Sequence, residues 1–319
     1  MMQHTGPPAG ARLLAALRPA RPIPVFMAAL RPSFRRSSSS SPRRDDAAGG
    51  EAPPRRDPHD FLRETLPRQT RSVGDHRLDD RRVWLKKAGP RHGPLRYRLL
   101  SLIARTLRLE VLTPVPNPGG TAAIAIEAAR LRSLAASGLR VPQVLAEQPE
   151  GLLISDLAGT GRSAAMLMER LEQAATQGPA VLLAAWAQGL EAIARVHARG
   201  QYLSQAFARN MVLCPDGEIG FIDFEDDPGA TLPTDQCQAR DWLSYLHSTG
   251  ALILAASPQA AATHWQAAMD AAEPGVRERV AEAARRMRWL RHLPQGRRWG
   301  RDTQRVRAAA VLLGRWHAA

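Results

Sequence analysis

Lysine is nearly absent from this 319-residue chain. Of its 44 cationic side chains, 42 are arginine, and only Lys86 and Lys87, side by side, are lysine. Cysteine is equally scarce. Cys214 and Cys237 stand 23 residues apart with no paired histidine, which excludes a disulfide scaffold and leaves no zinc pattern. Both are expected to be reduced and structural, as in a cytoplasmic protein. No stretch of 18 apolar residues is free of charge, so no membrane-spanning helix is expected. No Gly-x-Ser-x-Gly elbow is present, which removes a hydrolase of that type. Acidic residues are missing altogether before Asp45.

What is abundant is positive charge, and it sits at the two ends. The formal net charge is +14. Residues 1–60 carry 10 basic and 5 acidic side chains and residues 277–319 carry 12 and 3, whereas 61–276 carry 22 of each. The excess that would point to RNA or an anionic membrane surface is therefore terminal. Residues 1–60 hold a serine run at 37–41, many prolines, and Arg12, Arg18, Arg21 and Arg31 among apolar residues. They read as a disordered basic tail; a targeting peptide, or an over-long start with Met27 as the true one, are the alternatives. Near the other end Val276, Val280, Ala284 and Met287 follow helical spacing with arginines between them. That pattern suits a helix with a solvated basic face or a contact for lipid headgroups, lipopolysaccharide or RNA.

Between the ends the patterns alternate. Residues 81–88 read as a short strand stopped by Gly89 and Pro90, and 94–112 as an amphipathic helix. A proline- and glycine-rich loop leads to a helix over 121–137 with Thr121 as its cap. Residues 143–146 and 151–156 suggest a hairpin, 159–161 a linker, and 163–176 and 179–198 two long helices. A second hairpin is expected from 211–214 and 219–222 around Pro215-Asp216-Gly217, with mostly helix from Asp241 onward. The expectation is an α+β protein: a strand-rich part over 61–160, then a larger helical part over 161–319.

The most specific pattern is His197-x-x-Gly200, then Gln205-x-x-x-x-Asn210, then Phe221-Ile222-Asp223-Phe224-Glu225-Asp226. Mg²⁺ takes hard oxygen ligands, usually one or two side chains plus phosphate oxygens, and an amide and a strand-end carboxylate can supply them. This layout resembles the catalytic core of the protein-kinase-like superfamily, and is most similar to aminoglycoside phosphotransferases and lipopolysaccharide (Kdo) kinases. The resemblance implies a bilobal fold, ATP and Mg²⁺ as cofactors, and Asn210 and Asp223 as metal ligands. It makes Lys86, in Val83-Trp84-Leu85-Lys86, the strand lysine that holds the nucleotide phosphates. Glu127 is its helix partner, and Asp156 ends the hinge strand that contacts adenine.

The departures from the pattern shape the expected function. Gln205 stands where the family has its catalytic aspartate, and an amide cannot accept a proton; losing a general base typically costs about 10²- to 10⁴-fold. Only Gly74 lies between Thr70 and Val83, so no glycine-rich phosphate loop precedes Lys86. Only 17 residues separate Asp223 from Asp241, which resembles the aspartate that opens the family's buried helix. That leaves no room for a protein-substrate platform. The expected activity is transfer of the ATP γ-phosphate to a small-molecule, lipid-sugar or atypical protein acceptor. A nucleotide-binding pseudokinase, or a basic RNA- or membrane-surface-binding protein, are the alternatives. The expected location is cytoplasmic, or peripheral at the membrane. Gly159-Thr-Gly161 and Gly119-Gly120 read as a linker and a loop, not as phosphate sites.

Overall fold

The computed structural model describes residues 55–90, 119–159 and 164–316. The basic tail up to residue 54, the helix expected over 94–112 and part of the expected linker lie outside the described residues. What is described is a mixed α+β chain, mostly helical, with two small antiparallel sheets. No helix among the described residues is long and apolar enough to cross a membrane.

Helix α1 (Pro58–Thr65) starts ahead of the expected boundary at residue 61. Asp57 caps it by accepting from the His59 N–H, and Pro58 takes the first turn. Strands β1 (Val73–Leu78) and β2 (Arg81–Lys87) form a hairpin with a two-residue turn at Asp79-Asp80, where Asp79 has φ +52°. The β1 segment carries Gly74 and Asp75 and buries little besides Leu78, so its sequence gives no strand signal. After α2 (Gly120–Ala136), β3 (Val144–Gln148) and β4 (Gly151–Ser155) complete a sheet of order β1-β2-β4-β3. Thr121 is not the cap of α2. Gly119 and Gly120 both have φ near +60°, a turn that glycine makes without strain, and the helix begins at the second of them.

Alternation across β2 and β4 decides what each face of this sheet does. Val83, Leu85 and Leu153 face α1 and bury Phe61, Leu62 and Leu66 beneath them. Leu152 and Ile154 face the other way, into the main core with Ile124, Ala128 and Leu131 of α2. With both faces covered, β4 is buried along Gly151–Ile154, which is why its sequence reads as an unbroken apolar run.

The second sheet has order β5-β6-β7, from Ala165–Met166, Met211–Leu213 and Ile219–Phe221. The strand β5 takes the first residues of the helix expected from 163; α3 proper is Leu167–Gln177. Helix α4 (Pro179–His197) is followed by a loop, β6 and β7. Then come α5 (Thr234–Ala256), α6 (Pro258–Ala271), α7 (Pro274–Met287) and α8 (Arg301–Trp316). Asp241 does not open α5. Pro233 sets the helix start, and Asp241 falls two turns inside, fully buried. Trp186, Trp242, Tyr245 and Trp265 fill the core between α4, α5 and α6. Cys214 and Cys237 are free thiols, both buried.

Candidate functional site

Lys86 follows the side-chain alternation of β2 onto the α2 face, where Glu127 waits in the buried stripe of that helix. Its Nζ lies 2.7 Å from both Glu127 carboxylate oxygens. Glu127 is 1 % exposed and Lys86 9 %. The same ammonium donates to Asp223 Oδ1 at 3.3 Å and stands 3.6 Å from Glu225 Oε1. Burial alone would lower the Lys86 pKa, but the carboxylates of Glu127, Asp223 and Glu225 outweigh it and hold the ammonium charged, with its pKa raised. Lys87 points to the opposite face and donates to the Gln69 carbonyl.

The β6–β7 hairpin brings Asn210 and Asp223 to neighbouring positions. Met211 pairs with Phe221, so Asn210 lies across from Ile222, whose N–H donates to the Asn210 carbonyl at 3.0 Å. Asp223 follows at φ +73°, a left-handed backbone that costs a non-glycine residue about 1–3 kcal/mol. Its side chain remains 40 % exposed despite the contact with Lys86. The Asn210 amide N–H donates to the Gln205 carbonyl at 3.1 Å, and its amide oxygen has no partner among the described residues.

Gln205 is spent differently. Its side-chain amide donates to Asp226 Oδ2 at 3.3 Å, and Gln205 and Asn210 line one small cavity with Leu203, Ile222 and Phe224. Asp226 is 6 % exposed; burial pushes its carboxyl up to about 6, against the pull of Gln205 and Arg240. The loop carrying Gln205 is tied at its base. Asp241 accepts from His197 Nε2 at 3.0 Å and from the Leu203 N–H at 2.7 Å. Arg130 of α2 donates to the Tyr202 carbonyl, and the Tyr202 hydroxyl donates to Asp227.

Of the six residues singled out from the sequence, Lys86, Glu127 and Asp223 meet at one ammonium, and Asn210 and Gln205 meet beside them. Asp156 does not join. It sits past the far end of the β2–β4 pairing, where Val83 faces Ser155, and its carboxylate accepts from the Trp84 indole and the Ala158 N–H. Sequence reasoning missed Glu225 and Asp226 as partners of Lys86 and Gln205. The acids among residues 223–227 were the available signal, but only the backbone path after β7 decides which of them turns toward Lys86 and which toward Gln205. Neither the known family models nor the curated proteins compared with this chain include a match to it.

Proposed function

We propose that the chain is an ATP- and Mg²⁺-dependent phosphotransferase of protein-kinase-like, bilobal fold, with residues 61–160 as the smaller lobe and hinge. It would act on a small-molecule, lipid-sugar or atypical protein acceptor. The observation that carries the reading is the convergence on one buried ammonium. Glu127 and Asp223 stand 41 and 137 residues from Lys86 along the chain, yet both carboxylates reach its ammonium.

The side chains present fit the cofactor. Asn210 has an amide oxygen without a partner among the described residues and Asp223 a partly exposed carboxylate, two hard oxygen donors of the kind Mg²⁺ takes beside phosphate oxygens. MgATP would supply the phosphoryl group. Lys86 binds phosphate, and Glu127 positions Lys86. Gln205 offers its amide oxygen to orient the acceptor hydroxyl. Phosphoryl transfer relies mainly on positioning and charge stabilisation, so a site without a proton-accepting base retains a route to turnover. The test is thermal unfolding with ATP, with and without Mg²⁺. A rise in Tm that needs Mg²⁺ and is lost in Asp223→Ala supports the reading; no rise in the wild-type protein refutes it.

A second reading, a pseudokinase that binds nucleotide without turnover, draws on the Gln205 contact. The amide at the base position is engaged with a buried carboxylate. Gln205→Asp separates the two readings. ATP consumption by the wild-type chain that Asp223→Ala abolishes supports the enzyme. Consumption that begins only with Gln205→Asp supports the pseudokinase.

A further inference from the structure

The charge excess at the end of the chain has a focus. Residues 285–301 hold seven arginines and no acidic side chain. Helix α7 buries Val276, Val280, Ala284 and Met287 and leaves Arg285 exposed. A 3₁₀ turn over Arg288–His292 continues it and packs against α7 and α8. Arg288 and Arg291 are exposed there, and Arg291 donates to the His292 imidazole at 3.0 Å. Between them stands Trp289, at 41 % the one large apolar side chain left exposed among the described residues. The loop beyond is pinned to α8. Gln304 donates to the Pro294 carbonyl at 3.1 Å and Thr303 to that of Trp299 at 2.7 Å. Arg298, with its guanidinium 5.6 Å over the Trp299 ring, and Arg301 are exposed on this loop and at its end. Arg286 pairs with Glu282 of α7, but Arg285, Arg288, Arg291, Arg298 and Arg301 form no ion pair among the described residues. A single exposed ring is ordinary on a protein surface. Set among five exposed arginines without counter-charges, it marks a face for an anionic partner. The number of rings chooses between partners. Single-stranded nucleic acid is held on several aromatic platforms that take successive bases, and the described residues expose one. A bilayer needs only an interfacial tryptophan at headgroup level with cations around it.

We propose that Trp289 and the exposed arginines around it form a docking surface for the anionic headgroups of a phospholipid bilayer. The indole takes the headgroup boundary, and the guanidinium groups lie over the lipid phosphates and carboxylates. Each arginine near an anionic bilayer strengthens binding about fivefold, so five favour it over a neutral bilayer on the order of 10³-fold. The chain is then a peripheral protein held by this face, whether or not it transfers phosphate.

The test uses the full chain with vesicles of phosphatidylcholine, alone or mixed with phosphatidylserine. Binding is read by co-sedimentation and by quenching of tryptophan fluorescence with brominated lipid. The wild-type protein should bind the mixed vesicles, leave them as salt rises, and be quenched. Residues 1–60 are basic too, so point variants rather than truncation assign the surface. Arg288→Gln combined with Arg291→Gln should weaken binding about 25-fold. Trp289→Phe should remove most of the quenching, because the other six tryptophans are buried or partly buried. Gln295→Arg, at an exposed position of the loop, should strengthen binding about fivefold, a gain that misfolding cannot imitate. No binding to mixed vesicles overturns the proposal. So does binding that these variants leave untouched, which places the contact in the basic tail. Binding to polyuridine in place of vesicles overturns it in favour of RNA.

Discussion

The Lys86–Glu127 pair can be taken apart in a way that separates folding from function. Removing one member of a buried ion pair strands the other charge and costs about 3–5 kcal/mol, whereas replacing both by apolar side chains of similar volume is often neutral or stabilising. Lys86→Met leaves Glu127 buried with no cation. Glu127→Leu leaves the ammonium with Asp223 at 3.3 Å and Glu225 at 3.6 Å, so its cost should fall at the lower end. In a domain of this size each kcal/mol moves Tm by about 2–4 °C, so each single variant should melt on the order of 10 °C early. The double variant should return to within about 1 kcal/mol of the wild type. Urea unfolding of all four proteins gives the coupling energy, expected at about 3 kcal/mol or more, against an additivity error of about 0.5 kcal/mol. If the double variant loses the sum of the two singles, the pair contributes nothing as a pair and the argument for a built phosphate-holding lysine fails. The double variant should also stay blind to ATP, because neither Met nor Leu can hold a phosphate.

Two further outcomes concern the surroundings of the site. The Asp226 carboxyl titrates near 6 in the folded chain against an ordinary value of 3.8, so its contribution to stability is full below about pH 4 and fades as pH rises through about 6. Asp226→Asn should therefore be more stable than the wild type above pH 6, by up to about 3 kcal/mol, and equal to it near pH 4; a difference constant across that range rejects the assignment. Gly189→Ala should destabilise in spite of a helix propensity gain of about 1 kcal/mol. Its new methyl would run into the hydroxyl of the fully buried Tyr245, which donates to the Trp186 carbonyl. Overpacking and the threatened hydrogen bond should leave a net loss of about 2 kcal/mol by urea unfolding.

Much of this geometry is legible in the sequence because strand alternation and helical spacing are local rules. Lys86 and Lys87 must point to opposite faces of β2. Glu127 stands out as the one acid between Glu110 and Glu147. Both hairpins, 144–155 and 211–221, announce themselves by apolar runs around turn residues. Legibility ends where tertiary context decides. The β1 segment becomes a strand because β2 offers it an edge, and β5 becomes one because β6 does; neither has a pattern of its own. Asp156 carries no signal in the sequence for the contact it makes: its carboxylate accepts from the Trp84 indole, 72 residues earlier in the chain. Glu225 and Asp226 are adjacent and chemically alike. The left-handed turn at Asp223 and the path beyond it send one toward Lys86 and bury the other against Gln205.

The scarcity of lysine has a practical side. An acylating reagent that attacks neutral amines meets only two side chains in this protein, and they lie in the same peptide. Lys86 cannot react while Glu127 holds it as an ammonium, so its modification requires the pair to come apart. Lys87, half-buried and donating to the Gln69 carbonyl, supplies the reference rate beside it. The ratio of the two adducts is thus a built-in gauge of how often the centre of the site opens, readable by mass spectrometry without any introduced label.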